Sequence, residues 1–325
     1  MSQQLVQSGA QPPARIIFAG SPEFAVPPLQ SILATQHSVV AVLTQPDRPA
    51  GRGRKLRPSP VKEAALAANL PVLQPETLKA ADVQQSLAVL DADLMVVVAY
   101  GLLLPPEVLQ LPRLGCVNLH ASLLPRWRGA SPIQAVILNG DDRTGVSLMQ
   151  MDVGLDTGPV YATTALEIAA QETAGELHDR LAMQGAQLLE ANLSGLLAST
   201  LAARPQPEEG VTYAGIIKKS AGAIDWRQPA IDIERQIRAY NPWPVAYTDY
   251  QGATLRCWEA MAETDTPSSK LSPGAVVERS EYGIAVQTDL GILHMQSVQL
   301  PGKKRVTARE FCNAHDITNL VLGHN

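Results

Sequence analysis

The twelve residues Asn118-Leu-His-Ala-Ser-Leu-Leu-Pro-Arg-Trp-Arg-Gly129 follow an apolar stretch and carry an amide, an imidazole and two guanidinium groups. Side chains of an extended chain alternate between faces, so Asn118 and His120 share one face and Leu119 takes the other. An amide N–H can donate to an oxygen that becomes an anion, and an imidazole, with an ordinary pKa of about 6.5, exchanges a proton near neutrality. That pairing suits acyl transfer. The bland alternative is a structural Asn-x-His pair whose polar groups are satisfied locally. Ser122-Leu123-Leu124-Pro125 adds one polar and two apolar side chains stopped by proline, which could line a pocket for a flat ring system. Arg126-Trp-Arg-Gly129 reads equally well as a solvated turn with a packed Trp. Downstream, Met149-Gln-Met-Asp-Val-Gly-Leu-Asp-Thr-Gly158 presents Asp152 and Asp156 on a glycine-punctuated loop. A carboxylate bonded to the imidazole would favour one tautomer and stabilise the imidazolium. Spacing does not choose between the two acids, and both could simply cap turns.

Other chemistries lack their residues. The turn Phe18-Ala-Gly-Ser-Pro-Glu-Phe24 is not G-x-G-x-x-G, and no G-x-x-x-x-G-K-[ST] or G-x-S-x-G occurs, so dinucleotide, triphosphate and serine-elbow chemistry are not indicated. The six histidines are scattered without H-x-x-x-H or paired-Cys spacing, so no metal site is expected.

Such side chains need strands whose ends converge. Arg15-Ile-Ile-Phe-Ala-Gly20 reads as a first strand ending in a glycine turn, with a helix from about Pro22 toward Ala34. Val39 to Leu43 is the next strand, Pro60 opens a helix, and Asp93-Leu-Met-Val-Val-Val-Ala-Tyr100 is a near-continuous apolar strand of the kind buried on both faces. Thr173-Ala-Gly-Glu176 has capping-box spacing and predicts a helix to about Ala198. Alternating strands and helices imply a doubly wound, mostly parallel α/β sheet, with ligands at the carboxyl ends of its strands. After the Pro-rich segment at 205–210, a short helix near Ile231 to Ala239 stops at Asn241-Pro-Trp-Pro244. Short strands and turn signals then suggest a small OB-like β-barrel. The expected division is a disordered tail at 1–14, a catalytic domain at 15–198, a linker at 199–216 and a C-terminal barrel at 217–325.

With 325 residues and 46% hydrophobic side chains the chain can bury a sizeable core. Its longest apolar run, Leu94 to Leu104, is too short to cross a bilayer, so no membrane span is expected. Cys116, Cys257 and Cys312 are odd in number and far apart, which suits packing roles in a reduced, cytoplasmic compartment. The net charge of -5 argues against indiscriminate nucleic-acid binding. Yet Arg48, Arg52, Arg54, Lys55 and Arg57 form a cationic stretch with no acid until Glu63. Such a local patch can attract one particular polyanion.

These residues resemble those of the methionyl-tRNA formyltransferase family. The resemblance rests on Ile17-Phe-Ala-Gly-Ser-Pro-Glu-Phe, Thr44-Gln-Pro-Asp-Arg-Pro-Ala-Gly-Arg-Gly-Arg-Lys-Leu, Val97-Val-Ala-Tyr-Gly, Asn118 through Gly129 and Gln150-Met-Asp-Val-Gly-Leu-Asp-Thr-Gly. It continues through Ile224-Asp-Trp, Arg238-Ala-Tyr-Asn-Pro-Trp-Pro and Leu300-Pro-Gly-Lys-Lys-Arg, spanning about 15–313. It implies a Rossmann-like formyltransferase domain, transfer of the formyl group of 10-formyltetrahydrofolate to methionine on initiator methionyl-tRNA, and a monomer. By resemblance the catalytic trio falls on Asn118, His120 and Asp156, and folate contacts fall on Ser122, Leu123, Leu124 and Pro125. The cationic loop around Arg52 falls on the segment that enters the acceptor-stem groove, and Lys303, Lys304 and Arg305 offer a second phosphate contact. Ala121 replaces a common Gly, and Ile216-Ile-Lys-Lys-Ser-Ala replaces a more acidic stretch; these departures bear on tRNA affinity more than on chemistry. Two rivals remain: a folate formyltransferase acting on a small amine, and an RNA-binding relative that has lost catalysis.

Overall fold

Every residue after Arg15 in β1 (Arg15–Gly20) is buried, as a strand covered on both faces requires. The computed structural model describes residues 13–50, 55–264, 271–280 and 282–323, so most of the expected N-terminal tail lies outside the described residues. Along the chain follow α1 (Val26–Leu33), β2 (Ser38–Leu43), β3 (Arg48–Ala50), β4 (Lys55–Arg57), α2 (Pro60–Ala67), β5 (Val72–Leu73), α3 (Ala81–Ala88), β6 (Leu94–Val98) and α4 (Pro106–Leu109). Next come β7 (Cys116–His120), β8 (Arg128–Gly129), α5 (Pro132–Leu138), β9 (Arg143–Gln150), β10 (Val160–Glu167) and α6 (Ala174–Leu197).

Seven of these strands form one sheet in the order β10-β9-β7-β6-β1-β2-β5. β1 pairs parallel with β2 and β6, β2 with β5, and β6 with β7, whereas β7 and β9 are antiparallel. The order reverses beside β1, where the chain goes first to β2 and β5 and then returns to β6 and β7. The carboxyl ends of β1, β6 and β7 therefore share the edge where α/β sheets bind ligands. Gly20 closes the turn after β1: a Cβ there would lie 2.7 Å from Ala25 Cβ and 2.9 Å from the Val98 carbonyl oxygen. α2 is capped by Ser59 Oγ, which accepts from Lys62 N. α6 begins with the expected box, Glu176 Oε2 accepting from Thr173 N at 2.9 Å and Thr173 Oγ1 accepting from Glu176 N.

The later elements are β11 (Tyr213–Ala214), α7 (Ala230–Ala239), β12 (Ala246–Tyr250), β13 (Ala253–Glu263), β14 (Val276–Ser280), β15 (Gly283–Gln287), β16 (Ile292–Gln299), β17 (Val306–Thr307) and α8 (Ala308–Ala314). β11 pairs in parallel with β8, and the strands from β12 on form an antiparallel sheet ordered β12-β13-β16-β15-β14, with β17 against β16. Register shifts around Glu259 bend β13 and curl the sheet around Trp226, Ile233, Ile237, Leu293, Met295 and Phe311. A short helix followed by antiparallel strands is the texture expected after the Pro-rich segment.

The chain packs as two compact units that interleave in sequence. One contains Gly145–Thr164 and Leu181–Gly210 with the residues up to Pro125; the other contains Arg126–Thr144, Ala165–Arg180 and the chain from Val211 on. Composition places one boundary at 199–216, but α5 packs on α7 and so joins the second unit.

Candidate active site

β7 ends on the chemistry-bearing residues. Its pleat buries Cys116, Val117 and Leu119, and sets Asn118 and His120 on one face. Opposite, the loop after β9 brings Asp156 to both. Asn118 Nδ2 donates to Asp156 Oδ1 at 3.4 Å, and His120 Nδ1 lies 3.6 Å from Asp156 Oδ2, an ion-pair distance once the imidazole is protonated. The three side chains converge within the first unit. A carboxylate at Nδ1 favours the tautomer that keeps its proton there, which makes Nε2 the basic nitrogen. Asp152 faces elsewhere: its Oδ1 accepts from Gly154 N at 3.0 Å and Thr157 Oγ1 at 2.7 Å, so it caps its own loop.

Beyond His120 the chain folds back sharply. Ser122 N donates to His120 O at 2.9 Å. Ser147, buried on β9, donates from Oγ to Ser122 O at 2.7 Å and accepts from Leu124 N at 3.1 Å, clipping Ser122 through Leu124 against the sheet. Ser122 is fully buried, whereas Leu123, Leu124 and Pro125 are half-buried. Leu124 borders a cavity of about 520 Å³ shared with Val160, Tyr161 and Gln206.

The guanidinium next in sequence is committed to structure. In the second unit Arg126 Nε and Nη2 donate to Asp141 at 2.8 and 2.6 Å, Trp127 Nε1 donates to the same carboxylate at 2.8 Å, and Arg126 stacks 4.5 Å above the Trp127 ring. Burial alone pushes the Asp141 carboxyl up, but bonds from Arg126, Trp127 and Asn139 outweigh it and hold the group below the ordinary carboxylate value. A depressed folded value means stability that is present above the unfolded pKa, about 3.9, and lost as pH falls through the lower folded one. Asp141→Asn should therefore destabilise by about 1 kcal/mol at neutral pH. In thermal melts the gap to wild type should close below about pH 4; a gap that persists unchanged at lower pH contradicts the assignment.

Of the expected tRNA contacts, Arg52 and Arg54 lie outside the described residues. β3 and β4 pair antiparallel on either side of them, Arg48 opposite Arg57, both exposed. Arg48 Nη2 donates to Gln45 Oε1 at 3.1 Å. The backbone of Lys55 opens β4. The base of this hairpin is fastened by Lys62 Nζ, which donates to both oxygens of Asp47 and to Gln74 Oε1. Lys303 and Lys304 are exposed. Arg305 is held in place, paired with Glu259, donating to Ser297 Oγ at 2.6 Å and lying 5.4 Å from the Trp258 ring.

Ser147 and Gln206 carry no signal in the sequence of the contacts they make here. The first is an ordinary strand serine, and the second carries no mark beyond its flanking prolines. Burial pushes the Cys116 and Cys257 thiols up to about 12, which suits packing rather than nucleophilic roles. Among the described residues no three His, Cys, Asp or Glu side chains are grouped to hold a metal ion, and no helix is long and apolar enough to cross a membrane.

A family model described as formyl transferase matches residues 14–193, and one for the formyl transferase C-terminal domain matches 216–316. Curated relatives named methionyl-tRNA formyltransferase include that of Hydrogenovibrio crunogenus, 50% identical over 311 residues, which cover 96% of this chain and 99% of the relative. That of Methylococcus capsulatus is 49% identical over 309 residues, covering 95% and 99%. Among solved structures, an N-formyltransferase from Helicobacter canadensis in complex with folinic acid and dTDP-3-aminofucose has a TM-score of 0.63 at 18% identity, covering 86% of this chain and 98% of that one. At that identity the likeness is one of fold alone.

Proposed function

Because the chain belongs to the methionyl-tRNA formyltransferase family, we propose that Asn118, His120 and Asp156 move the formyl group of 10-formyltetrahydrofolate to the α-amino group of methionine on initiator tRNA. The observation that carries this assignment is the single carboxylate shared by Asn118 Nδ2 and His120 Nδ1. The residues present fit a folate-borne formyl group: a neutral amide donor, a titratable imidazole with its carboxylate, and the apolar Leu123-Leu124-Pro125 beside Ser122 to hold a flat ring. When bound, the folate supplies a formyl carbon whose bond to N10 is the one that breaks.

Asn118 donates to the formyl oxygen as the neutral amine adds to the carbon. His120 then manages the proton that leaves the amine nitrogen and ends on N10, while Asp156 orients the imidazole and stabilises its charge. The new bond joins the formyl carbon to the amine nitrogen, and tetrahydrofolate leaves. The same reading carries a cytoplasmic location and a monomeric state.

Formyl transfer to initiator methionyl-tRNA, elongator methionyl-tRNA and free methionine, with and without the formyl donor, tests the function. Donor-dependent transfer to the initiator species, with far less to the other two, is the expected result. Comparable transfer to free methionine would favour the small-amine rival.

The cationic hairpin supplies a separate prediction. Neutralising Arg48, Arg52, Arg54, Lys55 and Arg57 should weaken tRNA binding. It should also flatten the plot of log affinity against log salt by about 0.7 to 0.9 for each cation that meets a phosphate. An unchanged slope in a salt titration would make the hairpin a merely solvated loop.

A further inference from the structure

Residues 151–158 run from the end of β9 toward β10 as a tight loop held by two devices. Within it, Asp152 bonds Gly154 and Thr157. From outside, Gln206 Nε2 donates to the carbonyl oxygens of both Asp156 and Gly158, each at 2.8 Å. Asp156, the first of these, sits at φ 53, in the left-handed region that residues with a β-carbon seldom occupy. That backbone turn sets the direction of its carboxylate. At Gly158 a Cβ would lie 1.9 Å from the Gln150 carbonyl oxygen, so the loop is pressed against the end of β9.

The placement of Gln206 is equally determined. Arg204 and Val160 exchange reciprocal N–H···O bonds of 2.8 Å, pinning the chain two residues earlier. Pro205 and Pro207 fix their own φ, and each biases the residue before it toward an extended backbone. A carboxamide nitrogen with two hydrogens is thereby delivered to two carbonyls.

We propose that Gln206 is a positioning residue of this site. By fixing the carbonyls of residues 156 and 158 it locks the left-handed turn that aims the Asp156 carboxylate at Asn118 and His120. The role rests on the assignment of those three side chains as the working trio. Gln206 acts on backbone and does not need to touch either substrate.

Gln206→Met keeps the length of the side chain and removes both donors. In the full chain, kcat should fall by about 10- to 100-fold, as a misplacement on the scale of an ångström does. KM for methionyl-tRNA and for the formyl donor should stay within about threefold. The decisive measurement is a cycle with Asp156→Asn, which retains tolerance of the left-handed backbone but carries no charge to aim. In that background Gln206→Met should cost less than about threefold. If Asp156→Asn is impaired and the two losses multiply, or if Gln206→Met alone keeps wild-type kcat, the clamp is overturned and the trio stands. If Asp156→Asn alone turns over like wild type, trio and clamp fall together. Should the Met variant fail to fold, Gln206→Glu replaces it. Its carboxylate opposes two carbonyls, so its deficit relative to wild type should shrink as pH drops and the acid form recovers one donor; a deficit independent of pH overturns the clamp.

Discussion

His120→Ala is expected to lower turnover with initiator methionyl-tRNA by about 10² to 10⁴ while leaving tRNA affinity within about threefold of wild type, because a positioned acid-base group contributes on that scale. The imidazole closes β7, is almost fully buried, and has Asp156 Oδ2 at 3.6 Å from Nδ1. As the proposed acid-base group it serves the atoms that react, so its loss should remove an interaction made in the transition state and lower kcat and kcat/KM together. The cations offered to phosphates lie elsewhere in the chain, on the hairpin and at residues 303 and 304, so binding should be spared. Single-turnover formylation with saturating enzyme, set beside equilibrium binding of the same tRNA, separates the two. Near-normal turnover in His120→Ala would sink the assignment. A loss confined to binding would turn His120 into a tRNA contact.

The parts of this molecule legible in its sequence are those governed by local physics. The apolar run at 93–100 became β6, buried at all five positions, because periodicity reports burial directly. Thr173 and Glu176 announced the start of α6 because a capping box is satisfied within four residues. Asn118 and His120 share a face because a strand alternates. What stayed hidden depends on contacts between distant segments. The loop at 151–158 contains two aspartates in equivalent glycine-rich surroundings that spacing does not separate; the resemblance points to Asp156, and the backbone gives the physical reason, with Asp152 turned inward to Thr157 while Asp156, at φ 53, turns to β7. Arg126 lies six residues after His120, yet it binds Asp141, a partner whose position a linear pattern does not give. Gln206 reaches Asp156 across fifty residues, and no propensity or spacing rule encodes a carboxamide bridging two loop carbonyls. Compact units that interleave are hidden in the same way, because composition along the chain changes once, near the prolines at 205 and 207, while packing assigns α5 and α7 to one unit.

Asn118→Ala should lower kcat by about 10² to 10³, the usual loss on removing one donor from a developing oxyanion. Asn118→Asp should be worse, although it is nearly isosteric. Asn118 Nδ2 stands 3.4 Å from Asp156 Oδ1, so an aspartate at 118 would set two carboxylates against each other and offer only acceptors where an oxygen becomes negative. Forcing one of the two acids to hold a proton would relieve that repulsion, so activity of Asn118→Asp should recover as pH falls, whereas the Asn118→Ala deficit should not. Comparing kcat across pH for both variants, with wild type as reference, reads the difference. If Asn118 were only a structural partner of Asp156, both substitutions would act through the position of the loop. Each would then be coupled to Gln206 in the same way as Asp156 is. An oxyanion donor predicts instead that the Asn118→Ala loss multiplies with that of Gln206→Met, because the amide stabilises the oxygen directly whether or not the carboxylate is well aimed.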